Sequence, residues 1–143
     1  MSLLNVWMNR NLESPIAMHW IAVGFGGALG AMARYALSGL LIRRFPLGTF
    51  LANLIGCLLI GLLMALSVRV GWPDARWRSF LITGFIGGLT TFSTFAYQTW
   101  ELQNSGSLAW AGLNLFSNVL FGLLAVCLGI WLGECLCRLL PVS

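Results

Sequence analysis

Four long apolar runs joined by short polar connections make up most of the chain. The first covers residues 20–41 and ends at Arg43-Arg44-Phe45-Pro46; the second, 47–68, carries no charge. A polar connection with Gly71, Trp72, Pro73, Asp74, Arg76 and Arg78 leads to a third, uncharged run at 80–100. Residues 101–107, with Asn104, Ser105 and Gly106, have turn chemistry, and a fourth run follows at 108–132. Each run is about 20 residues or longer, the length a helix needs to cross a bilayer core. The pattern predicts an all-α membrane protein of four transmembrane helices, one four-span domain over residues 1–143 with 1–19 as a lead-in. That lead-in contains Glu13, Pro15 and His19 but no continuous apolar core or small-residue cleavage site, so it reads as an interfacial segment and not a signal peptide. His19 beside Trp20 belongs to the same interface.

Composition narrows the function. Of 143 residues 59% are apolar and 8% charged, which leaves nothing for a soluble domain. The ionisable inventory is eight arginines, four acids and one histidine, too little for general acid-base or metal chemistry, so an enzyme is not expected. The net charge of +4 is scattered between apolar runs and forms no nucleic-acid stripe, and no nucleotide motif is present. Gly24-Phe25-Gly26-Gly27-Ala28-Leu29-Gly30 has no preceding strand and no final match to a dinucleotide fingerprint. Gly26 with Gly30, Gly84 with Gly88 and Gly129 with Gly133 instead have the small-residue spacing that lets membrane helices approach closely. Cys57, Cys127, Cys135 and Cys137 read as small packing residues. Glu134 and Arg138, four apart, are expected to form a surface ion pair.

Four spans put both termini on one side. That side carries Arg10, Arg69, Arg76, Arg78 and Arg138; the other carries Arg43 and Arg44, with Arg34 if it reaches that surface. So small a difference is a weak orientation signal and favours insertion both ways, with assembly as an antiparallel pair.

The informative stretch is Thr83 to Phe95. Adjacent glycines followed by Thr90 and Thr91 make a poor helix in mid-span, where an unpaired backbone group costs several kcal/mol. A break there needs protein, water or an ion on the freed carbonyls, and such carbonyls commonly hold a cation. The same run also reads as a continuous helix with a small-residue face.

Gly87 to Phe95, GG-L-T-T-F-S-T-F, resembles the hallmark of the Fluc fluoride channels, also called the CrcB type. Around it stand G-A-x-x-R-Y at Gly30 to Tyr35, G-T-x-x-x-N at Gly48 to Asn53, and Gly56; the resemblance runs from Ile21 to Leu132. It implies a third helix broken near the midplane, an antiparallel dual-topology homodimer with two fluoride pores in a bacterial inner membrane, and a central structural sodium ion. By motif position the sodium would be held by backbone carbonyls of Gly87 and Thr90. Phe92 and Phe95 would be the pore phenylalanines, Asn53 the polar residue of the second span, and Arg34 a vestibule residue. Gln98 stands where many members of that family carry Glu, which bears on rate or pH dependence.

Physical chemistry supports such a site. A pore for a strongly hydrated anion must replace water with neutral donors, and Asn53, Thr91, Ser93, Thr94, Asn114 and Asn118 supply amides and hydroxyls. Phe92 and Phe95, three apart, can turn positive ring edges toward an anion. For Asn114 and Asn118, with Ser117 beside them, pore lining and interhelical polar glue are both open; for Arg34, attracting anions and packing. Two rivals stand beside the channel. A small four-span proton-coupled multidrug exporter needs an embedded carboxylate, which the four runs lack. A non-transporting membrane assembly protein needs only the glycine spacings.

Overall fold

A computed structural model describes residues 16–40 and 45–139. Among these, four helical stretches are long and apolar enough to cross a membrane. The first is α1, Ile16–Ser38, and the second α2, Leu47–Arg69. The third span, Ala75–Asn104, is composite: a short α3, Ala75–Arg78, a π-helical stretch, Ser79–Ile86, a single turn α4, Gly87–Leu89, and α5, Phe92–Asn104. The fourth is α6, Leu108–Leu139. Asp74 caps α3 by accepting the Trp77 N–H at 3.0 Å, and Gly106 at φ 74° makes the tight turn between α5 and α6.

The predicted spans are found, with different ends. α1 starts at Ile16, so the last residues of the expected lead-in form its first turn, and His19 Nδ1 lies 2.7 Å from Ser79 Oγ on the third span. Residues 1–15, with Arg10 and Glu13, and residues 41–44, with Arg43 and Arg44, lie outside the described residues. α6 runs two turns beyond 132. This carries Glu134 onto the helix, where it pairs with Arg69 of α2 at 3.5 Å and not with the expected Arg138. Arg78, read above as a charge flanking the membrane, is buried where the third span begins.

Small residues bring the helices together. A Cβ on Gly84 would lie 2.9 Å from the Val23 carbonyl, and Gly26, Gly30 and Gly88 likewise face the backbone across the α1 contact with the third span. Gly61 of α2 and Gly129 of α6 do the same for the other main pair, against the carbonyls of Val126 and Leu58. In lipid, where apolar surface gains nothing by leaving the solvent, close approach of this kind supplies the association energy. Large apolar side chains such as Phe25, Met32, Phe116, Leu123 and Trp131 point outward. The side chain buried most completely among the larger ones is an amide, Asn114 at 0% exposure.

Candidate functional site

The site is organised by an interruption halfway along the third span. Thr90 (φ −78°, ψ 152°) and Thr91 (φ −152°, ψ 114°) are extended. The Thr90 N–H and hydroxyl still donate to Ile86 C=O, at 2.9 and 3.0 Å. The Thr91 N–H, which a continuous helix would give to Gly87 C=O, goes to Asn53 Oδ1 at 2.8 Å. The break therefore falls on the two threonines, and the adjacent glycines that the sequence also marked stay helical. Gly87 is helical (φ −61°, ψ −36°) and exposed, and a Cβ there would meet only Ile82 C=O at 3.8 Å. Asn53 of α2 offers the Thr91 N–H an acceptor at this point, while Gly88 stays helical in its close contact with α1.

Thr91 then starts the second half-helix. Its Oγ1 accepts the Thr94 N–H at 3.2 Å and lies 3.0 Å from Thr94 Oγ1 and 3.2 Å from Ser93 Oγ, so the three hydroxyls cluster at the head of α5. Two cavities flank this head. One, an open groove of 340 Å³, is lined by Asn53, Cys57, Thr91, Phe92, Phe95 and Asn118 among others, none of them charged. Its two phenylalanine rings meet edge to face, centroids 5.6 Å apart at 63°. Phe95 is buried at 5% exposure and Phe92 stands out at 79%. The other cavity, of 210 Å³, is lined by Arg34, Thr49, Thr91, Thr94 and Gln98 with Tyr35 near its mouth. Arg34 Nε donates to Gly88 C=O at 3.0 Å, and Gln98 Oε1 is buried there with no hydrogen-bond partner. Thr91 is the wall the two cavities share.

Amides join the groove to the bundle interior. Asn53 Nδ2 donates to Asn118 Oδ1 at 3.0 Å and, more distantly, to Thr91 C=O at 3.4 Å. Asn118 Nδ2 donates to both Oδ1 and C=O of Asn114, each at 3.0 Å. Asn114 Nδ2 donates to Thr99 Oγ1 at 2.8 Å, and Thr99 Oγ1 to Phe95 C=O at 2.8 Å. Of the residues expected in a pore, the groove thus gathers Asn53, Thr91, Phe92, Phe95 and Asn118, and the second cavity holds Arg34 and Thr94. Ser93 and Asn114 line neither, and Ser117 faces a separate recess beside Phe50 and Phe121. Thr99 and Thr49 escaped sequence reasoning. A threonine on a helix is ordinary there, and only the fold sets Thr99 opposite Asn114.

Comparison with known proteins gives a concordant result. The family described as CrcB-like protein, Camphor Resistance (CrcB), matches residues 21–130. A protein of Hydrogenovibrio crunogenus named fluoride-specific ion channel FluC is 45% identical over 127 residues, 86% of this chain and 96% of its own length. Proteins of the same name from Geotalea daltonii and Pyrococcus abyssi are each 46% identical, over 77% and 76% of this chain and 92% and 90% of theirs.

Proposed function

The chain belongs to the CrcB-like family, and from that membership and the uncharged groove at the broken third span we propose that it is a fluoride-specific channel of the bacterial inner membrane. Each chain is one four-span domain, and the protein is a channel, not an enzyme. Fluoride that has entered as neutral HF and ionised inside leaves passively down its gradient, which relieves toxicity without nucleotide hydrolysis.

The observation that carries this reading is the meeting of neutral donors and aromatic rings in one groove without a charge that would trap the ion. At 3.4 Å, the Asn53 bond to Thr91 C=O is longer than the usual N–H···O range of about 2.7–3.2 Å. It is the loosest link at the site and the N–H that an anion can most easily take. Phe92 and Phe95 line the same groove as Asn53, and Arg34, steadied by Gly88 C=O, keeps a positive charge at the adjoining cavity.

The same reading includes a second, antiparallel copy and a sodium ion between the two breaks. Among the described residues no cluster of His, Cys, Asp or Glu could hold a metal, so carbonyls are the available donors. The donor set fits: Gly87 C=O has given up the Thr91 N–H, and ψ 152° at Thr90 turns its carbonyl out of the helix. Among the described residues a Cβ on Gly87 would meet only Ile82 C=O, at ordinary contact distance, which leaves that face open to a second copy.

Fluoride-electrode recordings from liposomes holding the purified protein test the function. Rapid, fluoride-selective efflux is expected; efflux no faster than from protein-free vesicles, or chloride passing equally well, would refute it. Crosslinking and sodium removal in the same vesicles test the dimer and the ion.

A further inference from the structure

The amide network has a direction, and its direction is unique. It begins at the Thr91 N–H, passes through Asn53, Asn118, Asn114 and Thr99, and ends on Phe95 C=O. An amide side chain is ordinarily free to exchange its O and N ends, but two of these are pinned by a backbone group and the third by the Thr99 hydroxyl. Asn53 must turn its oxygen to the Thr91 N–H, because that partner can only donate. Asn118 must turn its nitrogen to Asn114 C=O, which can only accept. Thr99 spends its proton on Phe95 C=O, so the Asn114 group facing it must be N–H. The run starts at Thr91, the N-cap of α5, and ends within α5 at Thr99 and the Phe95 carbonyl, so it spans the turn that carries Phe92 and Phe95.

We propose that Thr99, Asn114 and Asn118 are positioning residues of the pore. They lock the Asn53 amide in one orientation and hold the Phe92–Phe95 turn of α5 against α2 and α6. This rests on the channel reading above and adds to it a role for three residues, two of which, Asn114 and Thr99, line neither cavity. Asn114, wholly buried with its nitrogen committed to Thr99, acts through Asn118 and Asn53 and not on the anion. A head-to-tail run of hydrogen bonds in a low-dielectric interior stiffens as a unit, so loss of its far anchor is felt at its near end.

The test is made at Thr99, the anchor remote from the groove. Thr99→Val keeps shape and removes the hydroxyl, leaving the Asn114 N–H without its acceptor; Thr99→Ser restores it. In liposomes loaded with protein that elutes as the wild type does, fluoride efflux should fall about tenfold for Thr99→Val, with weaker rejection of chloride, and stay near wild type for Thr99→Ser. The pair Asn114→Leu and Thr99→Val should lose no more together than the worse one alone, since both cut the same run. Equal flux and selectivity in wild type and Thr99→Val, equal loss in the Val and Ser variants, or additive losses in the pair each overturn the proposal. Should Thr99→Val not fold, Thr99→Ala is read in its place. A wild-type protein that fails to conduct fluoride indicts the channel reading instead, so the two failures are told apart.

Discussion

Asn53→Asp is the sharpest probe of the groove, because it changes one NH₂ to an oxygen and leaves shape alone. The bond from the Thr91 N–H to Oδ1, 2.8 Å long, survives. What is lost is the donor to Asn118 Oδ1 at 3.0 Å, where two oxygens now oppose each other, and the looser donor to Thr91 C=O. Each lost bond removes about 1 kcal/mol. A carboxylate on the path also repels the passing anion by about 4 kcal/mol at a separation of about 4 Å and an effective dielectric near 20. At about 1.4 kcal/mol per decade of rate, the charge alone slows passage by about three orders of magnitude. Asn53→Leu adds no charge but removes the acceptor of the Thr91 N–H along with both donors, so efflux should fall by about a hundredfold without the electrostatic part. Fluoride-electrode efflux from liposomes, with size-exclusion of the same preparations, reads both. An Asn53→Asp channel within about tenfold of wild type removes Asn53 from the ion's path, because the repulsion cannot be that small at contact. Equal losses in the Asp and Leu variants would refute the electrostatic part alone.

Phe92→Ile and Phe95→Ile should each depress fluoride flux strongly by abolishing the ring quadrupole. Only the buried Phe95 should also cost stability, about 1 kcal/mol by thermal melt; flux that falls solely in step with stability makes the rings structural. Gly87→Val meets only Ile82 C=O among the described residues, at ordinary contact distance, so helix content and expression should hold while the dimer and its sodium dependence are lost. A conducting, sodium-supported dimer of that variant sinks the carbonyl assignment. Arg69→Ala should lower stability by no more than about 0.5 kcal/mol, because its bond to Glu134 is long and exposed. Arg138→Ala should not affect that pair, and a larger effect of Arg138 than of Arg69 would restore the i,i+4 pairing.

Much of this protein is settled by local chemistry. The four apolar runs had to become helices, since a backbone in lipid must satisfy its own hydrogen bonds, and Gly26, Gly84 and Gly129 mark where those helices touch. The motif from Gly87 to Phe95 marks a weak helix and, through the family resemblance, implies a break, whereas the edge-to-face pairing of Phe92 with Phe95 is seen only in the fold. Which residue breaks is a tertiary matter: the helix yields at Thr91 and not at Gly87 because Asn53, 38 residues earlier, offers an acceptor for that N–H. The Thr99 partner of Asn114 and the Arg69 partner of Glu134 were out of reach for the same reason. Spacing along one helix nominates neighbours at i+4, yet Thr99 and Arg69 arrive from other helices, and the crossing of α6 with α5 and α2 decides which polar group a buried amide or an exposed carboxylate meets.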